Sequence, residues 1–324
     1  MASYACDSPI MTYTHGKIHG GVIFTIGDSM YGGNLIYNDT YTVNFNVELP
    51  KDADVVFARL YGYWCWSKKN TIGVLPQIDT TFTVETDGIK SYMIEYDAVY
   101  SDRKGFVGWY DYLSGVYCYD VTPYVLGAGN YSVLLRNNGT YYTTFCMYGF
   151  GLVIIYKNKN SPLIEYWVNE GADMLYAGYG ITPEEATTTI PFNGEVDLDY
   201  VKKATLITVV PSGGYCPRGV WKDIYVGQTS LHFNSGGWMS NLPPVIKEGI
   251  KLFLHYREGR EWKDVYVANK TVQIGIDERD VTNYLKENNN LAKVQDAGDY
   301  MICLLYTSDA ADEGLGVDLG GRRI

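Results

Sequence analysis

From Tyr41 to Leu49 the chain reads YTVNFNVEL, apolar and polar by turns. Side chains on a strand alternate between faces, so Val43, Phe45, Val47 and Leu49 share one face. Asn44, Asn46 and Glu48 share the other. On a helix, with a period of about 3.6, the same residues would scatter around the axis. Thr80 to Thr86 (TTFTVET) alternates as well. Phe150 to Tyr156 (FGLVIIY) is apolar on both faces, as a strand covered on both sides must be. Glycines punctuate these runs at Gly32-Gly33, Asp87-Gly88, Gly127 to Gly129, Gly213-Gly214 and Gly236-Gly237. The 31 tyrosines and 35 glycines suit pleated surfaces and the turns between them. This pattern predicts an all-β chain of antiparallel β-sandwiches, jelly-roll or immunoglobulin-like, and excludes a βαβ fold.

The chain carries an internal repeat. Phe45 to Leu49 (FNVEL) matches Phe192 to Val196 (FNGEV), and Val55 to Tyr63 matches Val201 to Val209. Asp120-Val121-Thr122 returns as Asp280-Val281-Thr282, and Asn130-YSVLLRN as Asn290-LAKVQDA. Phe145 to Tyr156 then faces Asp299 to Cys303. Five features in one order argue for duplication. They predict a first sandwich over 1–158 and a second over 159–302, cut within its last strand. Thr122 before Pro123, and Thr282 before NYLKENN, read as N-caps of short helical turns. Residues 303–324 resemble a translated sequencing adapter and are expected to be non-native.

With a formal net charge of −11 the chain repels phosphate backbones, so no nucleic-acid partner is expected. No apolar run reaches the roughly 18 residues of a membrane span, and residues 1–21 lack the layout of a signal peptide. Membrane attachment is expected only through an anchor outside this fragment. Cys6, Cys65, Cys118, Cys146 and Cys216 show no CxxC pair or metal spacing. They read as buried hydrophobes, or as a disulfide of Cys65 with Cys118 or Cys146.

Catalytic signatures are missing from the sequence. His15 and His19 form HxxxH, but Gly16 and Gly20-Gly21 argue for a strand, on which the two lie about 13 Å apart. The acids Asp52/Asp54, Asp197/Asp199 and Glu258/Glu261/Asp264 read as solvated turn residues, with weak calcium ligation as the other reading. No GxSxG elbow, P-loop or dinucleotide fingerprint occurs in its required setting. No catalytic residue, metal or cofactor is assigned, and the chain is expected not to be an enzyme. Trp64, Trp66, Trp109 and Trp238 are candidates for a recognition surface, with core packing as the competing role. Asn38, Asn130, Asn138 and Asn269 sit in N-x-S/T sequons and are candidate glycosylation sites.

Four segments together carry a resemblance: THGKIHGGV (Thr14 to Val22), FARLYGYW (Phe57 to Trp64), YDVTPYV (Tyr119 to Val125) and Gly149 to Leu175. With Thr188 to Val210 they resemble the archaeal domain-of-unknown-function family 3344. The resemblance implies a secreted or surface-attached protein of a methanogen, with no established activity and no active-site residues. The expected function is therefore a non-catalytic extracellular surface protein engaging a protein or glycan, in adhesion or envelope interaction. A carbohydrate-binding module using the loop aromatics is the alternative.

Overall fold

The computed structural model describes residues 8–312, apart from 87, 106–111, 178–180, 214–228, 236–242, 244, 247–257, 264, 267–271 and 297–300. In chain order the strands are β1 (Ser8–Thr25), β2 (Gly33–Leu35), β3 (Thr40–Val47), β4 (Asp54–Lys69), β5 (Ile72–Gly73), β6 (Ile78–Val84), β7 (Lys90–Ile94), β8 (Ala98–Asp102) and β9 (Leu113–Asp120). Then come β10 (Gly129–Asn137), β11 (Thr143–Lys157), β12 (Leu163–Leu175), β13 (Thr187–Phe192) and β14 (Val201–Pro211). β15 (Ser230–Phe233), β16 (Arg260–Lys263), β17 (Ile274–Asp280), β18 (Asn290–Gln295) and β19 (Met301–Asp312) complete the set.

These strands stack as four layers. Sheet A has the order β17-β14-β19-β12-β1, and sheet B the order β1-β11-β4-β9-β8. Sheet C (β3-β10-β6-β7) covers B, and sheet D (β13-β18-β15-β16) covers A. The named strand pairings are all antiparallel. Alternation places the outer sheets as the sequence predicts: Val43, Phe45 and Val47 are buried and Thr42, Asn44 and Asn46 exposed. β11 is buried on both faces. Phe150, Leu152 and Ile154 enter the core between B and C, while Tyr148, Val153 and Ile155 enter the core between A and B. Each such side chain stabilises the fold by about 2 kcal/mol relative to exposure.

The two halves share one strand order. β3-β10-β6-β7 corresponds to β13-β18-β15-β16, and β1-β11-β4-β9 to β12-β19-β14-β17. The Asp-Val-Thr motifs close equivalent corners. Asp120 Oδ1 accepts from the Thr122 amide at 3.0 Å, and Asp280 Oδ1 from the Thr282 amide at 2.9 Å. The Ala58 amide donates to Thr122 Oγ1 at 2.9 Å, and the Ala204 amide to Thr282 Oγ1 at 2.8 Å. This corrects the N-cap reading. The only described helical turn there is 3-10, Thr282–Tyr284, and it has no side-chain cap. The threonine hydroxyl ties the corner to a neighbouring strand instead. β19 runs on through Asp312 between β12 and β14, so residues read as a tail occupy the place that β11 holds in the first half.

β1 belongs to both inner sheets. Ser8 to His19 pair with β12, and Gly20 to Thr25 pair with β11. The changeover falls on Gly20-Gly21. A Cβ at Gly20 would sit 1.8 Å from the Tyr156 carbonyl oxygen, so only glycine lets the two backbones approach. Gly20→Ala should lower the unfolding free energy by about 3 kcal/mol. At Gly127 an added Cβ meets nothing within 4 Å. Gly127→Ala should therefore stay within about 0.5 kcal/mol of wild type. Urea titration of both variants checks this, and equal effects would remove the close-approach argument.

Candidate functional site

The structure separates the predicted recognition residues. Trp64 is fully buried between sheets B and C, its ring 5.6 Å from that of Tyr117, so it is core and reaches no partner. Residues two apart on a strand normally share a face. The pairing of β4 with β9 slips between Trp64 and Ser67, and Trp66 adopts φ +52°. This bulge sends Trp66 to the opposite face, where it packs, partly buried, against the core between A and B. Trp109 and Trp238 lie outside the described residues, as do Asn269 and His255. Asn38, Asn130 and Asn138 are exposed along the β3–β10 pair and its end.

His15 and His19 lie on β1, as the glycine spacing predicts. His15 stacks on Trp167 at 4.6 Å and its Nε2 is 2.8 Å from Glu165 Oε1. His19 Nδ1 is 3.3 Å from the Ser161 carbonyl. Among the described residues no three acidic, histidine or cysteine side chains converge on one point.

The densest charged cluster lies between sheets A and B, and sequence reasoning missed it. Arg59 of β4 is fully buried. Its Nε donates to Glu170 Oε1 at 2.5 Å and its Nη2 to Oε2 at 3.1 Å. Its Nη1 donates to both oxygens of Asp97, at 2.9 and 2.7 Å, and Tyr13 stacks 4.1 Å from the guanidinium carbon. Tyr61 Oη also donates to Glu170 Oε1, at 2.6 Å. Burial and then the Glu170 charge push the Tyr61 phenol well up, so it stays a donor. The Glu170 carboxylate thus accepts four hydrogen bonds, the fourth from Tyr100 at 3.4 Å, which fills its lone-pair positions. The arrangement fits a clamp between two sheets. Partners 111 residues apart in sequence give no local signal.

A second buried group sits beside it. Lys104 Nζ bonds Asp102 Oδ2 and Asp173 Oδ1, each at 2.8 Å, and the Met174 amide donates to Asp102 Oδ2 at 2.8 Å. Burial raises the Asp102 carboxyl to about 6, against the pull of Lys104. A carboxyl raised in the folded state holds its proton more tightly there than in the unfolded chain. Its stabilising contribution is complete below about pH 4 and is lost as pH rises through about 6. The unfolding free energy of wild type minus that of Asp102→Asn should fall by about 3 kcal/mol between these limits. A difference that stays flat with pH would contradict this.

One loop end of the first sandwich groups six exposed apolar side chains, while Ile89, Met93 and Leu126 stand exposed toward the other. At the first of these ends Ile36, Tyr37, Ile72, Leu75, Tyr141 and Tyr142 all stand out, Tyr141 at 79% exposure. Three loops meet at this end: the Asn38 amide donates to the Asn137 carbonyl, Asn70 to Tyr142 and Asn138 to Gln77. Buried Asn137 organises them. Its Nδ2 donates to the Leu35 and Thr143 carbonyls at 3.1 and 3.2 Å, and its Oδ1 accepts from the Gly139 amide at 3.0 Å. Asn137→Ala should cost about 3 kcal/mol and raise amide exchange across residues 35–39 and 138–143. Unchanged exchange there would remove Asn137 from this role. At the opposite end, Tyr92, Tyr124, Tyr131, Thr86 and Lys90 line a cavity of about 250 Å³, with the Tyr92 and Tyr124 rings 4.6 Å apart.

Fold and site together define an all-β, layered sandwich protein with a clamped interior and apolar loop tips. The sequence model of a family described as protein of unknown function, DUF3344, matches residues 3–307, and the chain belongs to that family. No curated protein matches it. Among solved structures it is similar to N-glycanase F (PNGase F), with a TM-score of 0.26 and 11% identity over 91% of this chain and 96% of that one. A structure of PNGase F, a glycosylasparaginase from Flavobacterium meningosepticum, matches with a TM-score of 0.25 and 10% identity over 92% and 96%. The major capsid protein P2 of bacteriophage PM2 matches with a TM-score of 0.22 and 10% identity over 92% and 100%. Likenesses this distant carry no functional argument.

Proposed function

We propose that the protein is a non-catalytic, extracellular surface protein of an archaeon that holds a protein partner through the loop end of its first sandwich. The observation that carries this reading is the cluster of exposed Tyr141, Tyr142, Ile72 and Ile36, on loops tied to one another through Asn137 and through the Asn70–Tyr142 bond. Aromatic side chains with few rotatable bonds, on a pre-ordered support, give a contact surface at low entropic cost. The exposed sequons support an extracellular setting. Asn38 and Asn138 stand beside this end, so carbohydrate on them would set how much of the patch is open.

Beads coated with the purified protein should adhere to cells of the organism that makes it. Tyr141→Ser with Tyr142→Ser should reduce adhesion about ten-fold with an unchanged urea midpoint. Equal adhesion by the variant, or none by wild type, would sink the proposal. The tyrosine-lined cavity favours a second reading, glycan binding by ring stacking on sugar faces. Saturable binding on a glycan array, lost in Tyr92→Ala, would select that reading.

A further inference from the structure

Cys65 and Cys146 stand directly opposite each other on β4 and β11, in the middle of sheet B. Opposed residues of an antiparallel pair have Cα atoms about 4.5–5.5 Å apart, within the roughly 4.4–6.8 Å that a disulfide spans. The pairing slips on both sides of them, between Thr144 and Cys146 and between Met147 and Gly149. A regular ladder resists the twist a cross-strand bridge needs, and a bulged one supplies it. Both sulfurs belong to the core between A and B, against which Tyr31 also packs, and the Cys146 thiol donates to Asn34 Oδ1 at 3.9 Å. Cys118 shares the same core, but its partners across the ladder are Tyr61 and Ala98.

We infer that Cys65 and Cys146 form a thiol–disulfide site that closes into a cross-strand bridge by exchange with a small-molecule disulfide. The order of attack follows from the surroundings. Cys146 keeps 6% of its surface exposed and Cys65 none, so a small disulfide reaches Cys146 first. The neighbouring Cys65 thiol, with Tyr31 and Lys68, also draws the Cys146 thiol below its ordinary value. Burial keeps Cys65 well above its ordinary value. The Cys146 thiolate therefore attacks one sulfur of the small disulfide, and a thiolate leaves. The Cys65 thiol then loses its proton, attacks Cys146 in the mixed disulfide and expels the second thiol. The two cysteines lose two electrons, and the small disulfide gains them.

Oxidised glutathione is the probe. The folded protein is incubated with it, acid-quenched, unfolded, alkylated and mapped by mass spectrometry. The expected product is a linked Cys65–Cys146 peptide, with Cys118 alkylated. Alkylation of both Cys65 and Cys146, or linkage of either to Cys118, would overturn the inference. Two variants test the order. Cys65→Ser should stop at Cys146 carrying glutathione, and Cys146→Ser should take up at least about ten-fold less at Cys65. Equal uptake by the two variants would overturn the assigned order. Circular dichroism confirms that each variant is folded before it is probed.

Discussion

Apart from the side of β1 that carries Met11, Tyr13, His15, Lys17 and His19, sheets A and B have little solvent face. Each is covered by a small sheet on one side and by the other large sheet on its second side, so any charge carried inward must meet its partner inside. Arg59 is such a charge, and Glu170 of β12 is what it meets. Taking both ions from water costs several kcal/mol each, and their attraction roughly offsets that. The pair therefore contributes position more than net stability. Of the ways two apolar sheets can slide past each other, it favours the one that joins Arg59, Glu170 and Asp97. Lys104, Asp102 and Asp173 add a second constraint from the edge strand β8. β1 adds a covalent one, because the same strand pairs into both sheets.

What the sequence revealed depends on how local the cause is. Period two in Tyr41 to Leu49 fixes an outer strand, because one face meets water. The unbroken apolar run of Phe150 to Tyr156 marks a strand covered on both sides. Asp-Val-Thr, seen twice, marks equivalent corners, although its hydroxyl bonds a neighbouring strand rather than capping a helix. Trp66 was illegible, because a single bulge reverses its face and no residue type announces that slip. The Arg59–Glu170 clamp and the hub at Asn137 were equally silent. A buried polar residue gains its meaning only from groups the fold brings to it.

The functional surface follows from the same constraint. With the two inner sheets largely enclosed, the described surface consists of the outer faces of sheets C and D, one side of β1, the strand edges and the loop ends. The outer face of C mixes Thr42, Asn44, Asn46 and Arg136 with exposed Leu134 and Met93. At the loop end Tyr141 stands largely exposed on the turn that Asn137 orders, and Ile72 on the neighbouring turn that Asn70 ties to Tyr142. A flexible loop would collapse such side chains onto itself, whereas an ordered one keeps them presented.

Three of the four register slips in sheet B lie toward that same end, the fourth falling between Ile155 and Tyr156. The Trp66 bulge and the slips around Cys146 lie within the last turns of ladder before Lys69 and Thr143, where the loops begin. Thr143 gives its carbonyl to Asn137, and Cys146 is the third residue after it along β11. A bond between Cys65 and Cys146 would fix the register of β4 against β11 where the ladder is weakest. The strain of two bulges and the order of the loop end are thus carried by one short stretch of two strands. A change in how those strands are joined reaches the exposed tyrosines through a few residues of backbone.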